Sequence, residues 1–159
     1  MIIVHTPSDG PVEQFDIKSI RTSEATKICG LLTEPASWPQ VKQRLSDDDP
    51  DTMRATAFVI KLRSEPGLRI DNFDPPVAEL AVCFDRREVE EWGETAAHFA
   101  KLFEGPETQL RVELSVILDL AADRDHARTV IERVVAGKFP PAPSEPTDES
   151  SQTPEESPS

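Results

Sequence analysis

SWPQVKQRLSDDDPDTMRATAFVIKLRSEPGLRIDNFD, from Ser37 to Asp74, is the stretch from which the fold is read. Asp49 is placed to cap a helix because its carboxylate can accept the backbone N–H groups left free in the first turn. Pro50 suits the first helical position, where no N–H is needed. Asp51 adds negative charge at the positive end of the helix dipole. Met53, Ala57 and Ile60 then share one face, and Ala55, Val59 and Leu62 are apolar on another, which leaves Arg54 and Lys61 as a narrow polar strip. A helix this apolar is expected at the centre of a core, ending at Ser64 or Glu65 ahead of Pro66 and Gly67.

A shorter helix precedes it. Ser37 with Gln40 three residues on has the form of a capping box, Pro39 sits in the first turn, and Trp38, Val41 and Leu45 make one apolar face. After the central helix, LRIDNFD is expected as an extended or turn segment from which Leu68, Ile70 and Phe73 pack back. The three parts form one local packing unit.

Outward from this unit, MIIVH and VEQFDI flank the turn residues TPSDGP and predict an N-terminal β-hairpin. Thr22 or Ser23 is expected to cap a helix over TSEATKICGLL, with Ala25, Ile28, Cys29 and Leu32 on one face and Cys29 in the core. On the C-terminal side the periodicity is ambiguous. In VAELAVCF, Leu80, Val82 and Phe84 would share a strand face, yet Val77, Leu80, Ala81 and Phe84 also fit a helix. The same conflict recurs in LRVELSVILDL, where Leu110, Val112, Leu114 and Val116 alternate with Arg111, Glu113 and Ser115; the alternation predicts strands at both 77–84 and 110–120. Between them, Asp85 and Glu88 open a helix on which Val89, Trp92, Ala96, Phe99, Ala100 and Phe103 form an apolar stripe, read as core. A last helix is expected from about Asp125 to Ala136, with Ala127, Val130, Ile131 and Val134 inward and Gly137 as its stop.

The reading is therefore an α+β fold: an N-terminal β-hairpin, a helical central unit, then strand, helix, strand, helix, with a mainly α fold as the alternative. The folded domain is placed at 1–139, with possible sub-units 1–74 and 75–139. Residues 140–159, rich in Pro, Ser, Thr and Glu and without a basic or aromatic residue, are read as a disordered acidic tail, since they cannot bury enough apolar surface to offset their ordering entropy.

Composition narrows the function. The chain has 159 residues, long enough to bury a core without cross-links. Its formal net charge of −13 argues against nucleic acid, because phosphate binding needs clustered Lys and Arg. There are only 2 cysteines, the N-terminus lacks a basic-then-apolar leader, and no apolar run approaches the roughly 20 residues that span a bilayer. A cytoplasmic, reduced protein with no membrane partner is expected.

No reactive constellation stands out. His5, His98 and His126 fall on separate predicted elements. A Cys83 nucleophile with His98 as base would lack an orienting partner and the electropositive surround a thiolate needs. The cysteine and histidine spacings miss a closed zinc site, and DDDPD at Asp47 to Asp51 lacks the alternating ligands, Gly and terminal Glu of a calcium loop. Glycine-rich phosphate loops are absent. No catalytic, cofactor-binding or metal residue is assigned, and no cofactor is expected.

The order of a Trp-containing short helix, an acidic turn, RATAFVIKLRSEP and LRIDNFD, preceded by FDIKSIRTSEATKI, resembles the small tail assembly chaperones of long-tailed phages that infect actinobacteria. The resemblance runs from about Phe15 to Asp74 and does not extend to Pro75–Phe139. It implies a protein that is not an enzyme but holds a long, largely helical tape-measure protein soluble while tail-tube subunits assemble around it, in the host cytoplasm. It also implies a second, longer product made by ribosomal slippage, for which Ala136, Gly137 and Lys138 permit a slip site. The alternative from the residues is a small cytoplasmic ligand-binding module or enzyme built on the 75–139 half, with a pocket at Cys83 and His98.

Overall fold

The computed structural model describes residues 1–140; the tail expected over 140–159 lies outside the described residues but for Pro140. The predicted hairpin forms: β1 (Ile2–His5) runs antiparallel to β2 (Glu13–Asp16), with Ile3 opposite Phe15. The strand expected over 77–84 is also present, as β3 (Leu80–Cys83), entered through a single 3-10 turn at Val77–Glu79. It pairs antiparallel with the other side of β1, Ile3 opposite Val82, so the three strands lie in the order β2-β1-β3. The fold is α+β.

One face of this sheet presents Ile3, Phe15 and Leu80, all buried, to the helices that follow the hairpin. These are α1 (Thr22–Leu31), α2 (Trp38–Ser46) and α3 (Pro50–Lys61). Thr22 is the first helical residue of α1 rather than its cap; the cap position is Arg21, whose N–H donates to Glu24 Oε2 at 2.7 Å. In α2, Ser37 N–H donates to Gln40 Oε1 at 2.8 Å, as the capping-box spacing implied. In α3, Asp49 Oδ2 accepts from Thr52 N at 2.9 Å and from Thr52 Oγ1 at 2.5 Å.

The central position expected for α3 follows from its composition. Thr52, Met53, Ala55, Thr56, Ala57, Phe58 and Val59 are all buried, so the helix is covered on nearly every side by the sheet, α1 and α2. Such burial stabilises by roughly 1.5–3 kcal/mol for each Val, Met or Phe side chain. Its last turn tightens after Lys61, with Ser64 N donating to Lys61 O. The return segment packs back through buried Phe73, and Arg54 fixes it: Nε donates to Phe73 O at 2.7 Å and a terminal nitrogen to Ile70 O at 2.9 Å. Cys29 is half-buried against this first core.

A second core is wholly helical. It is built from α4 (Arg86–Leu102), α5 (Glu107–Leu114), α6 (Ile117–Leu120) and α7 (Arg124–Lys138). Asp85 and Glu88 cap α4 reciprocally at 2.9 Å each. The strand predicted over 110–120 is replaced by α5 and α6. Leu110, Leu114, Ile117 and Ala121 are buried, while Val112 and Val116 are exposed. Spacings of four, three and four residues lie on one helix face, and packing against α7 selects that period over the alternation. Gly137 does not stop α7 either. It keeps a right-handed conformation, and the helix runs on to Lys138 because Val134 and Val135 are buried and Phe139 packs beyond them. The two cores meet at Phe84, whose N–H donates to Leu120 O at 2.7 Å and whose carbonyl accepts from Ala122 N at 3.0 Å.

Candidate partner-binding surface

The groups weighed for chemistry are held apart. Cys83 ends β3 with 9% exposure, and burial, with a smaller contribution from Asp48, pushes its thiol up, away from the thiolate. His98 lies on the exposed face of α4. His5 is half-buried between carboxylates, with Nδ1 3.2 Å from Glu13 Oε2 and Nε2 3.5 Å from Glu79 Oε2. His126 stands near the start of α7, 3.1 Å from Glu90 Oε1. The acidic turn is occupied by structural work: Asp47 accepts from Gln43, Asp49 caps α3, and Asp51 accepts from Thr33 N at 2.9 Å. Asp48, at φ 54°, takes the left-handed residue that reverses the chain, a conformation Asp tolerates better than most. Among the described residues no group of three or more His, Cys, Asp or Glu side chains is placed to hold a metal ion.

Surface apolarity is concentrated in the second half. The α4 stripe read as core is only partly so. Val89, Ala96 and Ala100 are buried, together with Gly93, whose lack of a side chain lets α7 approach; Trp92 and Phe103 are half-buried; Phe99 is 47% exposed. Leu102, which the stripe did not include, is 83% exposed. The cause is that α4 is covered mainly on the side toward α7, so the small residues Gly93, Ala96 and Ala100 face inward and the larger Phe99 is left at the rim.

The second apolar surface lies in the segment 110–120, where helix replaces the expected strand. Ser115 and Val116 are themselves in right-handed helical conformation, so α5 and α6 make a nearly continuous helix. With Leu110, Leu114, Ile117 and Ala121 turned onto α7, the spacing of Val112, Val116 and Leu120 puts them together on the outer flank, 70%, 56% and 44% exposed. On the helical wheel Glu113 lies to one side of this stripe and Asp119 to the other. The signal available in the sequence was that 110–120 carries two apolar sets, of which one buried face could use only one.

Around these patches the basic side chains are largely committed to acids. Arg86 bonds Asp123 at 2.7 Å, Arg124 bonds Asp119 at 3.0 Å, and Arg111 bonds Glu107 at 2.8 Å and also reaches Glu132. Between α4 and α7 lies a cleft of about 440 Å³ lined by Gly93, Ala97, Ala100 and Gly137 with Glu94 and Lys101 at its edge; neither Cys83 nor His98 lines it.

No protein-family model matches the chain, and no curated protein and no solved structure matches it. Among the described residues no helix is long and apolar enough to cross a membrane.

Proposed function

We propose that this protein is a phage tail assembly chaperone, a binding protein rather than an enzyme, that holds the tape-measure protein soluble in the host cytoplasm while tail-tube subunits assemble. The observation that carries the reading is the pairing of solvent-exposed Val112, Val116, Leu120, Phe99 and Leu102 with a strongly acidic surface. A holding protein needs apolar side chains that a client can reach, and those same side chains would drive its own aggregation. Mutual repulsion between copies of net charge −13 opposes that. The resemblance of Phe15–Asp74 to this family adds the identity of the client.

The test is capture of the client. Affinity-tagged protein, expressed together with the genes that surround its own, is expected to retain a very large, predominantly helical protein from the same cluster. Recovery of the bait alone, while the large protein is soluble and expressed, overturns the proposal.

A further inference from the structure

We infer that the Val112–Val116–Leu120 flank of α5–α6 is the seat for one amphipathic helix of a partner whose apolar ridge is bordered by Lys or Arg. The inference rests on the binding role proposed above and names the surface and the chemistry that surface accepts. Three apolar side chains four residues apart make a ridge about 12 Å long at 1.5 Å per residue, the length over which two helices pack ridge into groove. The opposite face of the same helix packs on α7, while the ridge itself stands exposed among the described residues.

Charge selects the occupant. Of the five acids from Glu107 to Asp125, four are each bonded to an arginine, Glu107 to Arg111, Asp119 to Arg124, Asp123 to Arg86 and Asp125 to Arg128, which leaves Glu113 as the one carboxylate of the segment without an ion pair among the described residues. Glu113 borders the ridge on one side, and Asp119, shared with Arg124, borders it on the other. A second copy of this chain would bring the same acidic borders against them, and like charges juxtaposed at an interface cost affinity. Nucleic acid and anionic lipid are repelled for the same reason. A helix with Lys or Arg at the positions beside its apolar ridge meets both requirements at once.

The experiment uses the full chain and fluorescently labelled synthetic helical peptides with Leu at the ridge positions. One peptide has Lys on both flanks, and the other has Glu. The Lys-flanked peptide is expected to bind, the Glu-flanked peptide at least tenfold more weakly. The Val116→Glu variant is decisive because it adds negative charge. A loose electrostatic association would strengthen, whereas a seated helix would lose at least tenfold in affinity. Val116 is exposed, so the variant is expected to fold, which circular dichroism checks; Val112→Glu repeats the test one turn away. Equal binding of the two peptides, or Lys-peptide binding that Val116→Glu and Val112→Glu leave unchanged or improve, overturns the inference. So does a concentration-dependent dimer that Val116→Glu dissolves, because it gives the face to a second copy. Client capture by the Val116→Glu variant at the wild-type level would remove this surface and leave the chaperone reading standing. Peptide binding lost on Val116→Glu, with no client captured, would keep the surface and remove that reading.

Discussion

A methyl group built on Gly93 of α4 would stand 2.5 Å from Val130 Cγ1 of α7. The two helices are in contact along much of their lengths, and Gly93 is where they have no room for even one more carbon. Gly93→Ala is therefore expected to cost about 1–3 kcal/mol through overpacking, despite the better helix propensity of Ala. Gly30→Ala provides the contrast. An added carbon there meets nothing within 4 Å among the described residues, and removing a flexible residue from α1 is expected to gain about 0.5–1 kcal/mol. Urea unfolding midpoints of the two variants should move in opposite directions, and a shift of the same sign in both would contradict the packing described.

Two threonines one turn apart on α3 make a second opposed pair. Both are fully buried, but Thr52 Oγ1 donates to Asp49 Oδ2, and Thr56 Oγ1 has no hydrogen-bond partner among the described residues. Thr56→Val replaces the lone hydroxyl by a methyl group of similar size and is expected to gain about 1 kcal/mol. Thr52→Val removes a bond to a carboxylate and is expected to cost about 1.5–3 kcal/mol. Equal losses in chemical denaturation would show that Thr56 has a partner after all.

Acid stability should depend on Glu24. Arg63 bonds it at 2.7 Å and lowers its carboxyl from the ordinary 4.5 to about 2, with burial opposing. A carboxyl held below its unfolded value contributes stability that is fully present above about pH 5 and is lost as pH falls toward 2. Asp85 acts in the same direction: burial pushes it up, but Lys18 at 2.5 Å and the N-terminal ammonium outweigh that and hold it well below the carboxylate range. Glu24→Gln is expected to lower stability at pH 7 and to flatten its fall between pH 5 and pH 2. An unchanged acid limb in denaturation measured across that range would dismiss the Glu24–Arg63 pair as a source of it.

The gene offers a test of the proposed function. Ala136, Gly137 and Lys138 form the last residues of α7, so a ribosome slipping there would give two products that share the helices and sheet described. The expected message reads G GGA AAG or G GGA AAA across these codons, followed by an overlapping frame. Codons that break this pattern, or no such frame, would withdraw that support.

The elements that could be read from the sequence were those announced by local chemistry. Asp49 and Asp85 each accept a backbone N–H three residues on, and the N–H of Ser37 is bound by Gln40 at the same spacing, so a short window contains the whole interaction. α3 was readable as central because it is apolar on nearly every side, whatever packs against it. The segment 110–120 was not, since Leu110 and Leu114 satisfy both a two-residue and a four-residue period, and only α7 decides between them. The exposed stripe depends on the same choice: in a strand Val112 and Val116 share one face with Leu110 and Leu114, whereas in the helix that face splits and Val112 and Val116 stay outside. Arg54 falls on the narrow polar strip of α3, but its hydrogen bonds to the carbonyls of Ile70 and Phe73 depend on how the return segment folds back, which no local pattern encodes.

The order β2-β1-β3 also sets a timetable. During synthesis β1 leaves the ribosome first and β2 soon after, so the hairpin can close at once. β1 is the middle strand, however, and its second edge stays bare until Leu80–Cys83 has emerged behind three helices. Over that interval the nascent chain displays an open strand edge beside apolar Ile3 and Phe15, a template for wrong pairing with any neighbouring chain. The earliest strand made is the last to be sealed, and translation that halts short of Cys83 releases a hairpin with one side unfinished.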